Sequence, residues 1–371
     1  MEAPGFLFSL ISFISMFTVL VFVHEWGHYY VARRNGVKVE VFSIGFGPEI
    51  FGWYDKNGTR WKISWVPLGG YVKFFGDAGA ASNADNSALG QMTEAEKQQS
   101  FHFKSLKQKA AIVAAGPLVN LLLAVAIFVG FGLAYGERYA LPVIDQVVQG
   151  SAAEEAGFQS GDRIIAFNGK EIEKFSDVVT ATMLNMDQPA NVTLDRGGEI
   201  VETVITPKIA ETTDNFGVVH KVPRLGIIRA NLIENKQLGP IDALIWGVQN
   251  TLRTMDMMLT TVGQVIVGVR PITDMGGPVK IGQVAGQAAS LGMIRFIELM
   301  ALISINLGLV NLFPIPMLDG GHLVMYGIEG IRKKPVPAKA QEFVFLAGMI
   351  FLLSLMVVMT YNDLAGLGLF S

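Results

Sequence analysis

Two histidines four residues apart, with a glutamate beside the first, make His24-Glu25-Trp26-Gly27-His28 the stretch best suited to chemistry. On a helix, residues i and i+4 lie one above the other, so both imidazoles can reach one Zn²⁺ while Glu25 reaches a water on that ion. This is the HExxH arrangement of a zinc hydrolase, with His24 and His28 as ligands and Glu25 as the catalytic base. The competing reading is a helix end whose histidines bond to headgroups or water. The setting favours the metal, because Phe6 to Val23 carries no charge and the motif completes a helix able to span a bilayer. Each ionisable side chain at mid-bilayer costs roughly 2.5–3.5 kcal/mol on insertion scales, so three within little more than one turn need a compensating partner.

The elements that must position this motif follow from composition. With 51% hydrophobic and 16% charged residues over 371, the chain reads as a polytopic α-helical membrane protein. The formal net charge is −3 and no basic run is long enough to track a phosphate backbone, which excludes nucleic acid as a partner. Cysteine is absent, so His and carboxylates are the strong zinc ligands available; the histidines are His24, His28, His102, His220 and His322. The N-terminus lacks a basic leader and a small-residue cleavage site, so its apolar stretch is expected to be retained as a span.

About four transmembrane helices are expected. The chain divides into 1–36, the first transmembrane helix; 37–103, a membrane-associated β-hairpin and cytoplasmic loop; and 104–138, the second helix. Residues 139–230 form a soluble domain and 231–295 amphipathic interfacial helices. A third transmembrane segment occupies 296–331, and 332–371 holds the fourth helix and the C-terminus. Basic residues at Arg33, Arg34, Lys38, Lys104, Lys107 and Arg332 to Lys334 mark the cytoplasmic side, placing both termini and the soluble domain outside. Residues 239–268 step their apolar positions by threes and fours and are expected to lie on the bilayer surface; a crossing there would move the Arg332 cluster outside. Val37 to Phe75 alternates with period two around Asn57-Gly58, and Asp77 to Gln99 is a polar loop. Gly116-Pro117 and Asn120 in the second span suit close helix packing and an interhelical hydrogen bond.

In the third span, Pro314, Pro316, Gly320 and Gly321 break an apolar helix beside Asp319. The first and third spans both run inward, so Asp319 reaches a depth similar to His24 and His28 and completes a two-His, one-carboxylate zinc set. A proton relay or a packing role is the other reading of Asp319, and His322 is the runner-up ligand. No His, Tyr or Arg donor for an oxyanion is evident beside the ligands, while Asn311 can reach a bound peptide as an amide. A transmembrane substrate must unwind before it is cut, and unwound backbone needs new hydrogen-bond partners. The β-like segment from Pro67 to Phe74, with Gly69, Gly70, Tyr71 and Val72, is expected to offer a sheet edge for that purpose.

The sequence resembles the site-2 protease family of intramembrane zinc metalloproteases, in its bacterial RseP-like branch. The likeness rests on His24 to His28, Gly45-Phe46-Gly47-Pro48, Pro67 to Lys73, Gly116 to Asn120 and Asn311 to His322. Residues 141–229 resemble one PDZ domain, which implies a peptide or protein partner at a sheet edge; relatives with two such domains exist, and this chain has one. The resemblance implies a bacterial inner-membrane endopeptidase in contact with the lipid bilayer. Its substrate would be a single-span membrane protein, often an anti-sigma factor already trimmed by another protease. Two other classes compete. An ion or metal transporter shares broken helices and midplane carboxylates but not HExxH, and a silent scaffold would have no use for Glu25.

Overall fold

The computed structural model describes residues 4–79, 89–213, 219–271, 276–334 and 336–366; 80–88, in the middle of the expected polar loop, lie outside them. The chain forms two compact units. The first comprises Met1–Ile127 and Gly276–Leu364, the second Phe128–Met275 and Ala365–Ser371.

Helix α1 (Phe6–Arg34) opens the first unit and ends with Arg33 and Arg34 in its last turn, where cations offset the helix dipole. Strands β1 (Val39–Tyr54) and β2 (Arg60–Phe74) follow, then α2 (Leu106–Tyr135), which carries Pro117 inside it and runs on into the second unit. The hairpin is not a plain ribbon. Val41 to Ile44 pairs on one side with Lys73, Val72, Tyr71 and Gly70 in turn, and on the other with Arg60, Trp61, Lys62 and Ile63. Arg60 to Ile63 pairs again with Tyr54 to Phe51. The two long strands thus fold into four ribbons, and among the described residues no strand covers the outer edge of 70–74.

A carboxylate ties this sheet to α1. Asp55 Oδ1 accepts from the Asn57 and Thr59 amides, closing the turn, while Oδ2 accepts from the Tyr29 hydroxyl at 3.0 Å and the Trp61 indole at 3.1 Å. Beneath it Phe42, fully buried, stacks on Trp61 and packs with Val72, Phe74, Phe101 and Ile112.

In the second unit β3 (Glu137–Ala140) pairs with a late strand, β12 (Ile233–Lys236). Between them run β4 (Ile144–Val147), α3 (Ala152–Glu155), β5 (Arg163–Phe167), β6 (Lys170–Glu171) and α4 (Phe175–Asn185). Then come β7 (Ala190–Arg196), β8 (Glu199–Ile205), β9 (Lys208–Thr213), β10 (Val219–Arg224) and β11 (Ile227–Arg229). A four-stranded sheet in the order β6-β5-β7-β8 covers a core of Ile144, Phe158, Ile164, Val178, Leu194 and Ile205. Helix α5 (Pro240–Ile266) closes the unit and leaves Ile241, Leu244, Ile245 and Leu252 exposed, the apolar face its spacing predicts.

The first unit resumes with α6 (Pro278–Ser290), α7 (Met293–Asn311), α8 (Asp319–Arg332) and α9 (Ala338–Gly366). Residues 231–295, expected as one interfacial block, therefore contribute to both units. Helix α6 packs along α1, where Gly286 abuts Ser9, and the Asp363 carboxylate accepts from the Gly277 and Lys280 amides at its start. Among the described residues, four helical stretches are long and apolar enough to cross a membrane: Phe6–Arg34, Leu106–Tyr135, Met293–Asn311 and Lys339–Gly366. The expected polytopic membrane architecture is the observed one. The break between α7 and α8 spans 312–318, where two prolines lack amide donors and Met317 takes a positive φ of 79°.

Candidate active site

Helix α1 presents His24 and His28 on one face with their Nε2 atoms 3.2 Å apart. The break before α8 delivers Asp319 as the first residue of that helix, its Oδ2 3.3 Å from His24 Nε2 and 3.5 Å from His28 Nε2. A carboxylate in a first helical turn also faces the positive end of the helix dipole. These distances test whether a metal fits. Tetrahedral zinc with ligand bonds of about 2.0–2.1 Å has its ligand atoms about 3.3 Å apart, which matches all three separations.

Proton placement leads to the same ion. His28 Nδ1 lies 2.9 Å from the Ile112 carbonyl, which can only accept, so that nitrogen carries the proton and donates. In the neutral ring Nε2 then turns a lone pair toward a carboxylate oxygen and toward a second imidazole. Lone pairs gathered this way repel unless a cation lies among them. Among the described residues, His24, His28 and Asp319 are the group able to hold one. His322, the runner-up, stands outside it.

Helix α2 backs both imidazoles. A Cβ at Gly116 would lie 2.3 Å from His28 Nε2 and 2.9 Å from His24 Cε1, so only glycine admits the rings there. One turn either side, Ile112 meets His28, and Asn120 Nδ2 lies 3.3 Å from His24 Nδ1. Asn120 is fully buried and reads from sequence as an amide suited to an interhelical hydrogen bond; that its partner is a site histidine was visible in no spacing or period.

The sheet closes the opposite side. Gly70 sits so close to α1 that a Cβ would meet Ser43 O at 2.6 Å, Val21 Cγ1 at 3.0 Å and Glu25 Cγ at 3.2 Å. The Val72 amide faces the Glu25 carboxylate. Because successive residues of a strand turn their amides to opposite sides, an amide at Val72 facing Glu25 places the free edge of β2 toward the site. Phe74 agrees, its amide going to Asp77 Oδ2 and not to β1.

A cavity of about 220 Å³ joins these parts. Gly70, Tyr71, Val72 and Asn311 line it, whereas Gly69 lies off its wall with the Phe46 ring in the space above its Cα. His322 and Tyr326 line it too, three and seven residues beyond Asp319 on one face of α8. The expectation of no His or Tyr donor beside the ligands is therefore corrected. Helical periodicity from Asp319 already points to His322, as the runner-up ligand, and one further turn would have revealed Tyr326.

The arrangement is that of a hydrolytic metal centre: three converging donors, a carboxylate next to them, and a cavity bounded by an open sheet edge. Comparison with known proteins bears on the same centre. The family model described as Peptidase family M50 matches residues 12–355. A protein of Agrobacterium fabrum named "Putative zinc metalloprotease" is 44% identical over 99% of this chain and 98% of its own length. One of the same description from Rhizobium meliloti is 39% identical over 96% of each chain. The metalloprotease MmpA of Caulobacter vibrioides is 34% identical over 97% of this chain and 96% of its own. With HExxH on one apolar helix, a carboxylate at the break of another, and a family match along nearly the whole length, the chain belongs to peptidase family M50, the site-2 proteases.

Proposed function

We propose that His24, His28 and Asp319 hold one Zn²⁺ and that Glu25 is the acid–base residue of an intramembrane endopeptidase. The observation carrying this reading is the near-equilateral set of ligand atoms next to the Glu25 carboxylate. Zinc, when bound, supplies a Lewis acid that acidifies water and polarises a carbonyl. The chain's own groups do the rest. Glu25 takes a proton onto its carboxylate from the attacking water and passes it to the nitrogen of the leaving amine. The Val72 amide faces that carboxylate from the edge of β2. The free edge at Gly70 to Val72 pairs with the unwound substrate, and the Asn311 amide holds it from across the cavity.

The substrate is a single-span membrane protein, an anti-sigma factor being the class the resemblance implies. The basic residues ending α1 and preceding α2 support a site in the bacterial inner membrane near its cytoplasmic face, with both termini and the second unit outside. The strands and helix of 141–229 support a PDZ domain. Exposed Val179 and Met183 on α4, and Ile228 on a β11 whose partner strand is β4, offer apolar contacts to a peptide.

Glu25→Gln keeps the size and removes the base. Purified in detergent, this variant is expected to retain zinc by metal analysis while cleavage of a model single-span substrate falls by several orders of magnitude. Proteolysis at the normal rate would exclude the role given to Glu25.

A further inference from the structure

The side chain of Asn120 is fully buried, next to His24, and its Oδ1 has no hydrogen-bond partner. It stands on α2 four residues beyond Gly116 and eight beyond Ile112, so one stripe of α2 meets both site histidines. The backbone around it is held, because the Ser304 hydroxyl of α7 donates to the Asn120 carbonyl at 2.8 Å. A buried amide with an unpaired end is costly compared with leucine, which would fill the same space. Packing alone does not explain why an amide stands here.

The histidine explains it. If His24 Nε2 offers a lone pair to a metal, the proton of the neutral ring sits on Nδ1 and requires an acceptor. Among the described residues, Asn120 is the hydrogen-bond partner of Nδ1. With Nδ2 on that side, two donors would face each other. The oxygen and nitrogen of an amide fill nearly the same space, and exchanging them turns the clash into an Nδ1–H donation to Oδ1. The exchange leaves the other amide end unpaired, as before, but it decides which nitrogen of His24 is free.

We infer that Asn120 is a positioning residue for the metal centre, its side-chain oxygen accepting from His24 Nδ1–H and so holding the tautomer whose Nε2 binds metal. The inference rests on the ligand set proposed above. It makes α2 the outer support of both imidazoles: a backbone carbonyl from Ile112 behind His28 and a side-chain oxygen from Asn120 behind His24. Outer partners of this kind typically change metal affinity by 10–100-fold.

The experiment is zinc affinity, measured by chelator competition on the full-length protein in detergent, for wild type, Asn120→Leu and Asn120→Asp. Leucine keeps the volume and deletes the acceptor; aspartate keeps the acceptor and deletes the amide N–H. We expect about 10–100-fold weaker zinc binding for N120L and binding within a few-fold of wild type for N120D. Cobalt-substituted N120L should also show displaced visible bands, since His24 loses its fixed orientation. Unchanged affinity in N120L, or a loss in N120D equal to that in N120L, would overturn the inference while leaving the ligand set intact. Wild-type protein that binds no zinc would overturn both. Should N120L not purify in a folded state, Asn120→Ala removes the same acceptor and carries the same expectation.

Discussion

The two long hairpins of this protein obey opposite rules. In the second unit β7 and β8 pair residue for residue, from Ala190 with Ile205 to Arg196 with Glu199, with no slip and a Gly197-Gly198 turn. In the first unit β1 and β2 shift register repeatedly, and Val41 to Ile44 has partners on both sides. The regular hairpin joins a four-stranded sheet, β7 pairing β5 on its other side, and buries one face over the core of the second unit. The irregular one bends until its final stretch, 70–74, lies against α1 beside Glu25 with an edge left free. An open edge is normally a hazard that proteins cover or charge. Here it borders the cavity beside Glu25, where the proposed function pairs an incoming peptide. Regularity serves stability in one place, and departure from it leaves an open edge at the cavity in the other.

The sharpest way to break this contrast is Gly70→Val. Its side chain would push β2 away from Ser43, Val21 and Glu25, and a displacement of about 1 Å at a reacting centre can cost on the order of 100-fold. Cleavage should fall at least that far with zinc content unchanged, because no proposed ligand moves. A variant that cuts a transmembrane substrate at the wild-type rate would mean the edge does not hold the peptide.

The counterpart in the regular hairpin is Gly198→Ala. Gly198 has φ of 97° and open space around its missing Cβ, so the substitution meets only backbone strain, about 1–3 kcal/mol. Denaturant titration with limited proteolysis of the second unit should register that loss. Cleavage of a substrate lacking a soluble partner segment should stay at the wild-type rate. Strong inhibition instead would tie this hairpin to catalysis.

The smallest effect concerns pH. Burial would raise the pKa of Asp162, but two hydrogen bonds from Arg196, each 2.8 Å, and the Gln159 amide outweigh it and hold the carboxyl below its ordinary 3.8. A folded pKa below the unfolded value means the contribution is fully present above about pH 4 and is lost as pH falls through the folded value. The second unit should therefore lose stability on acidification below about pH 4 and show no change from this pair near neutrality. In Asp162→Asn the acid-side slope should flatten; an unaltered slope would assign the acid sensitivity to other carboxyls.

Much of this was readable from residue order. Gly197-Gly198 locates a hairpin within Ala190 to Pro207, Phe175 to Asn185 reads as a helix, and Pro314 with Pro316 predicts the break before Asp319. In each case the governing physics is local: backbone freedom, missing amides, periodic burial. Asn120 and the double pairing of Val41 to Ile44 were not readable in that way. Nor was the return of 278–290 to pack along α1, since its amphipathic spacing suits a bilayer surface equally well. These features depend on which distant segments meet.

The sequence by itself determined the chemistry available: two imidazoles and a carboxylate just beyond an uncharged apolar run, a second carboxylate at a helix break, and no thiol anywhere. Residue type and local spacing suffice for that, because ligand preference and helix propensity act over a few bonds. Only the tertiary structure decided that three donor atoms lie 3.2–3.5 Å apart. It also decided that α2 supplies a partner behind each histidine and that an unpaired strand edge faces Glu25. Apart from the pair His24 and His28 on α1, those are separations between segments 40 to nearly 300 residues apart. Close packing of helices and sheet sets them, and no local pattern encodes it.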